Sequence, residues 1–217
     1  MSAVLLHKCS KICTNVHLIF LMMIMGSDIS NSSPVANARQ RRFDPHRRER
    51  ILTVTLDVIA EKGLSGATMR VIAEAADVSL GSMTYYFADR DALLLEAFEH
   101  FATEIEGLLI RPLEETESPG EMLDLVTDLI CGSRWATRRN LLLSYELYAW
   151  ASRCPEVTEV VHRGIEGMRA ALTRFFTKPE ADAIDALFDG ASIHRAYDST
   201  PPSREEIRSI LARIGGA

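Results

Sequence analysis

The chain is expected to be all-α, and three features of the sequence say so. Apolar residues recur at helical spacing almost throughout its 217 residues. No alternating run of five or more residues bounded by turn signals reads as a strand. Helix start and stop signals punctuate the chain at helix-length intervals. In detail, the expected architecture is an N-terminal three-helix helix-turn-helix domain followed by a second helical domain. The boundaries fall at 1–40 for a poorly ordered extension, 41–90 for the first domain and 91–217 for the second.

The elements follow in order. A first helix is expected from Pro45 to Lys62, with Ile51, Leu52, Leu56 and Ile59 as its inward stripe and Gly63 at the C-terminal cap. Thr68 caps a short second helix, Met69 to Ala76, whose inward face is Val71, Ile72 and Ala75. Asp77 is a residue that tolerates a left-handed backbone and can make the turn. Ser79 caps a third helix ending at Tyr86. Two short helices joined by so tight a turn are a helix-turn-helix signature. Asp89 caps a fourth helix running to Ile110, where Arg111-Pro112 should stop it. Residues 117–120 read as a loop, and later helices are expected at 121–134, 140–153, 155–176, 179–197 and 203–214. Asn140 and Ser203 are candidate caps, and Ser203 with Glu206 makes a capping box.

Composition narrows the function. With 47% hydrophobic and 25% charged residues the chain can build a globular core. The net charge is −6, yet it is unevenly spread. Arg39–Arg50 holds six Arg against two acidic residues, whereas Asp91–Ala217 holds thirteen basic against twenty-two acidic residues. A basic head on an acidic body fits contact with phosphates at one end only, though a solvated polar linker has the same composition. Cys9, Cys13, Cys131 and Cys154 form no CxxC pair, so neither a zinc site nor a disulfide framework is expected. No HExxH, nucleophile elbow or glycine-rich phosphate loop is present. We therefore expect no enzyme, no metal and no cofactor. Cys131 or Cys154 could serve a thiol sensor, and the basic head a non-specific DNA-packaging protein, which the acidic body disfavours.

At the N-terminus, Val16–Met25 is an apolar run too short to span a bilayer. It reads as a signal-peptide core or, preferred, as sequence upstream of a true start at Met22, Met23 or Met25. No membrane association and a cytoplasmic location are expected.

Gly63–Arg90 reads GLSGATMRVIAEAADVSLGSMTYYFADR. Glu61-Lys62-Gly63, Thr68, Ile72-Ala73-Glu74, Ala76, Val78-Ser79, Gly81, Tyr85, Phe87 and Asp91-Ala92-Leu93-Leu94 stand in the order of the TetR family of regulators, which this segment resembles. The C-terminal stretch LFDGASIHRAYDSTPPSREEIRSIL resembles that family's last two helices. Leu80 and Thr84 stand where many relatives carry Lys and Tyr, which removes potential DNA contacts.

On a helical wheel Met83 and Phe87 share the inner face, and Gly81, Ser82 and Tyr85 the outer, with Thr84 and Tyr86 at its margins. The outer face fits a major groove. Thr68 and Ser79, at helix N-termini, suit phosphates, and Arg47 and Arg48 can reach them too. Gly81 serves either close packing or close approach to DNA. The resemblance implies that Arg90 holds a phosphate in place of the family's usual lysine.

The resemblance also implies a repressor released from double-stranded, near-palindromic operator DNA by a small-molecule effector. The fourth helix would swing as the effector binds. The pocket should be lined from among Phe98, Phe101, Met122, Cys131, Trp135, Tyr145, Tyr148, Trp150 and Met168, with Phe101, Met122, Trp135, Tyr145 and Trp150 as the chosen set. A homodimer is implied through residues 179–214, using Ala183, Ala186, Leu187, Gly190, Ile193, Ile207, Ile210 and Leu211, which could instead cap the chain's own core.

Overall fold

The computed structural model describes residues 45–216, and the expectations for the 1–40 extension and for the basic residues Arg39, Arg41 and Arg42 of the head lie outside them. The described residues form helices α1 (Arg47–Gly66), α2 (Met69–Ala75), α3 (Leu80–Tyr86) and α4 (Arg90–Ile105), a π-helical turn (Glu106–Ile110), then α5 (Arg111–Glu114), α6 (Pro119–Cys131), α7 (Arg138–Ala151), α8 (Pro155–Leu172), α9 (Lys178–Tyr197) and α10 (Arg204–Ile214). No strand occurs among them, so the chain is all-α as expected.

Local chemistry sets the first four helices. Gly63 leaves the helical region at φ 72°, ψ 168°, a conformation open to glycine, and kinks α1 where the cap was expected. Thr68 Oγ1 accepts from Val71 N at 3.3 Å, Ser79 Oγ from Ser82 N at 3.1 Å, and Asp89 Oδ1 from Ala92 N at 2.8 Å. Each satisfies an N–H that the first helical turn leaves unpaired. Asp77 makes the turn between α2 and α3 at φ 52°, the left-handed region anticipated for it.

Four local expectations need correction. The fourth helix does not run evenly to Ile110. Regular α-helix ends at Ile105, and in the π turn Arg111 N donates to Glu106 O, five residues back. Pro112 has no N–H to offer the carbonyl four residues before it, and its ring would press on that carbonyl in a regular helix. The wider turn relieves this, and Pro112 then sits in the first turn of α5 instead of stopping the chain. Residues 117–120 are not all loop: Ser118 caps α6, which starts at Pro119. Thr137, not Asn140, caps α7. Asn140 lies one turn inside, where its Nδ2 donates to Trp135 O at 3.1 Å and closes the preceding loop. Finally, α8 ends at Leu172, four residues earlier than expected. The Ser203–Glu206 capping box on α10 is present, and a second, Thr177–Glu180, opens α9.

A single hydrophobic cluster runs from Ile51 in α1 to Leu211 in α10. Ion pairs stitch its surface: Arg48 to Glu96, Arg139 to Asp57 at 2.8 Å and Glu104 at 3.5 Å, Arg204 to Asp128 and Arg208 to Asp124, both at 2.7 Å. Such exposed pairs contribute about 0–1 kcal/mol each, so burial holds the fold. No helix among the described residues is long and apolar enough to cross a membrane.

Candidate nucleic-acid interface and cavity

Helix α3 is divided sharply between inside and outside. Met83 and Phe87 are buried, while Tyr85 is 83% exposed and Leu80 51%. Gly81 and Thr84 are exposed; Ser82 and Tyr86 are half-buried. Tyr85 stands edge-on to Tyr86, with ring centres 5.1 Å apart. Thr84 Oγ1 donates to Gly81 O at 3.1 Å, and Ser79 and Ser82 share a hydroxyl contact at 3.0 Å. A Cβ placed on Gly81 would meet only Ser79 Oγ, at 3.9 Å. Packing within the chain therefore does not require glycine there.

The arginines differ from one another. Arg48 pairs with Glu96 and lies over the Phe87 ring at 5.5 Å, while staying half-exposed. Arg47 is half-buried, and its Nε is buried without a hydrogen-bond partner. Arg90, for which the resemblance implied a phosphate contact, is held within the chain. Its Nε donates to Ala67 O at 2.9 Å, its Nη2 to Leu64 O and its Nη1 to Asp91. The end of α1 leaves carbonyls short of helical donors, and Arg90 adds a donor to Ala67 O and to Leu64 O, which also accepts from Ala67 N. It thereby ties the start of α4 to the α1–α2 junction.

A cavity of about 710 Å³ lies among α4, the π turn, α7, α8 and α9. Phe101, Trp135 and Tyr145 line it, as do Tyr148 and Met168 from the wider set. Met122 and Trp150 do not. Met122 is wholly buried in the core on α6, and Trp150 packs on Phe98 with ring centres 5.9 Å apart. Aromatic and Met side chains suit a pocket wall and a core position alike.

The residues missed are on α9. Asp185, Phe188, Asp189 and Ser192 all face the cavity. Phe188 stacks on Trp135 at 6.0 Å and 24°. The available signal was polar spacing, since Asp185, Asp189 and Ser192 recur at i, i+4 and i+7 on one helical face. Arg169 Nε donates to Asp185 at 2.8 Å and lies 3.4 Å from Asp182. Tyr148 Oη donates to Asp189 at 3.3 Å. Burial pushes the carboxyls of Asp185 and Asp189 upward. For Asp189 the neighbouring Asp185 adds to the rise, and Tyr148 and Arg169 only partly offset it. Burial, and then the charge of Asp189, raises the Tyr148 phenol as well. Trp135 Nε1 and Ser192 Oγ are buried without hydrogen-bond partners. No cluster of three or more metal-ligating groups occurs among the described residues.

The far faces of α9 and α10 separate. Ile207 and Leu211 are buried in the chain's own core, contrary to their expected place at a dimer face, and Ile210 and Leu187 are partly buried. Ala183, Ala186, Ile193 and Tyr197 are exposed along one side of α9, with Gly190 partly exposed between them.

Comparison with known proteins is consistent across the chain. Residues 51–97 match the family described as bacterial regulatory proteins, tetR family. Residues 117–217 match the tetracyclin repressor-like C-terminal domain. A transcriptional regulator of Streptomyces coelicolor A3(2) of known structure is 37% identical with a TM-score of 0.72, the match covering 80% of this chain and all of that one. The multidrug binding protein EbrR, solved with ethidium, is 31% identical with a TM-score of 0.62, over 79% of this chain and 99% of its own. The transcriptional regulator PksA of Bacillus subtilis is 27% identical, over 76% of this chain and 86% of that protein.

Proposed function

The chain belongs to the TetR family of bacterial regulatory proteins, and from that premise we propose that it is a cytoplasmic repressor that leaves its operator when a small molecule fills the cavity. The family and the relatives found are transcriptional regulators, not enzymes. Residues 41–90 act as the DNA-binding head and 91–217 as the sensing and pairing body.

The observation that carries this reading is the 83% exposure of Tyr85 on a helix whose other face, Met83 and Phe87, is buried. A large aromatic left in water on a short, well-capped helix is poised for a partner, and a major groove admits such a helix. Thr68, Ser79, Gly81, Ser82, Thr84 and Tyr86 flank it, with Arg48 and Arg47 nearby on the approach to phosphates. Arg90 positions the head and does not itself meet the backbone.

Two chains would pair through the exposed side of α9, where Ala183, Ala186 and Gly190 permit close helix approach and Ile193 and Tyr197 add apolar area. The resulting two-fold axis presents two copies of α3 to half-sites about 34 Å apart, which requires a near-palindromic duplex.

The effector would occupy the cavity, with Phe101, Trp135 and Tyr145 in its wall. EbrR, whose structures hold ethidium and proflavin, supports a flat aromatic molecule as the occupant. The π turn places Glu106, Leu109 and Ile110 directly on the cavity, and Arg90 clamps the opposite end of α4 to the head. An effector with unequal affinity for two positions of α4 would therefore shift the heads. A thiol sensor is not favoured: burial raises the Cys131 thiol, and Cys154 donates to Glu156 at 3.1 Å.

The test is selection of bound fragments from genomic DNA, then a screen of small molecules for release. The reading predicts enrichment of one near-palindromic sequence and its release by a molecule that binds the protein. Retention of random fragments without enrichment contradicts it.

A further inference from the structure

Resting on the effector-cavity reading above, we infer that the cavity selects a flat organic cation, whose positive charge settles against Asp189. Three independent observations meet there. First, among the described residues those bordering the cavity include Glu99, Glu106, Glu114, Asp185 and Asp189 against a single cation, Arg163, and Arg163 is paired with Glu99 at 3.4 Å. An anionic occupant would enter an unfavourable field, and a cation a favourable one.

Second, the carboxylates along α9 are unequally matched. Asp182 has Lys178 at 2.6 Å, and Asp185 has Arg169 at 2.8 Å. Asp189 forms no ion pair among the described residues and holds only the Tyr148 hydroxyl. A partly buried carboxylate with no ion pair, and only the more distant charge of Arg169 to offset it, is costly unless a partner arrives.

Third, the wall near Asp189 contains polar groups left unsatisfied by the protein. Ser192, one turn along α9, is 2% exposed, and Trp135, stacked on Phe188, is 6% exposed. Neither Ser192 Oγ nor Trp135 Nε1 has a hydrogen-bond partner. Buried polar groups are ordinarily satisfied, so such orphans mark a surface completed by a bound molecule. The Trp135–Phe188 stack and the Tyr145 and Tyr148 rings supply aromatic faces, which attract both flat ring systems and positive charge.

Three probes of one ring size separate charge from shape: 10-methylacridinium (cationic), acridine (neutral at pH 7.5) and 9-anthracenecarboxylate (anionic). Calorimetric titration of the full chain, without DNA, is expected to show 10-methylacridinium binding at least about tenfold more tightly than either other probe. Added salt should narrow that advantage. In Asp189→Asn the preference should disappear, acridine affinity should stay within about twofold, and Asp189→Glu should restore the preference. Equal or better binding of acridine or 9-anthracenecarboxylate by the wild-type chain overturns the cation assignment and leaves the effector cavity standing. Unchanged cation preference in Asp189→Asn overturns the role of that carboxylate. No binding of any probe at millimolar concentration overturns both the assignment and the cavity's role as a site for flat molecules.

Discussion

Arg90 shows what a single residue can hide. In sequence it stands where a phosphate-binding lysine would, and its charge makes the same role plausible. Folded, it donates to Leu64 O, Ala67 O and Asp91. Those carbonyls lie 23 and 26 residues away in sequence, so no local pattern announces them. The caps Thr68, Ser79 and Asp89 were legible because their partners lie three residues on. The two roles of Arg90 make opposite predictions. Arg90→Ala should lower the thermal midpoint by several degrees, as expected when two buried-side carbonyls lose charged donors worth about 1.5–3 kcal/mol each. The slope of log affinity for DNA against log salt should stay the same, whereas loss of a phosphate contact would reduce it by about one. Asp189 yields a second prediction at this scale. Burial raises its carboxyl, so its contribution to stability is present at low pH, where it is neutral, and is lost as pH rises through its folded-state titration. Asp189→Asn keeps an acceptor for Tyr148 and removes the buried charge. Thermal unfolding at pH 7.5 should therefore show the variant more stable by about 1 kcal/mol, or ~2–4 °C, and the gap should close as the pH falls toward 4. A gap that widened toward low pH would contradict this sign.

At the scale of elements, helix existence was legible almost everywhere, and the errors fall where tertiary demands shape a helix end. Pro112 signalled a break correctly, but a proline alone does not say whether the chain stops or widens into a π turn, and here it widens. Asn140 has the chemistry of a cap, yet Thr137 is positioned three residues earlier and Asn140 is used to close the loop. Helix α3 offers a test that separates its two uses of Ser79. Ser79→Ala removes the cap and should cost about 1 kcal/mol in chemical denaturation. Ser79→Asp keeps a capping oxygen, so stability should match the wild type, while its charge near the DNA phosphates should weaken duplex binding by tenfold or more. Equal duplex affinity for Ser79→Asp and wild type would remove this end of α3 from the interface.

For the whole molecule, the all-α architecture and the helix-turn-helix were readable because periodicity, caps and the tight turn at Asp77 agree. The cavity was only partly readable. Aromatic and Met residues fill cores and line pockets alike, which is why Phe101, Trp135 and Tyr145 were found but Met122 and Trp150 were misplaced. The acidic face of α9 was overlooked because its small residues drew attention to pairing. In the proposed reading pairing and sensing share one helix: Ala183, Ala186 and Ile193 run along an exposed side, and Asp185 and Asp189 face the cavity. A charge on the exposed side tests pairing alone. Ala186→Glu should give monomers by light scattering with retained helicity, and duplex affinity should fall by about a hundredfold because one head then binds without the other. A monomeric wild type, or a dimeric Ala186→Glu chain, would exclude that face.

The most direct measurement is fluorescence anisotropy of a genome-selected duplex titrated with the full chain and with Tyr85→Ala. Because the Tyr85 ring is 83% exposed, its removal should leave the thermal midpoint within about 1–2 °C. Affinity for the selected duplex should fall by about 1–3 kcal/mol per head, toward that for random DNA. Unaltered affinity and selectivity in a folded Tyr85→Ala chain would contradict the assignment of α3 as the surface that reads DNA.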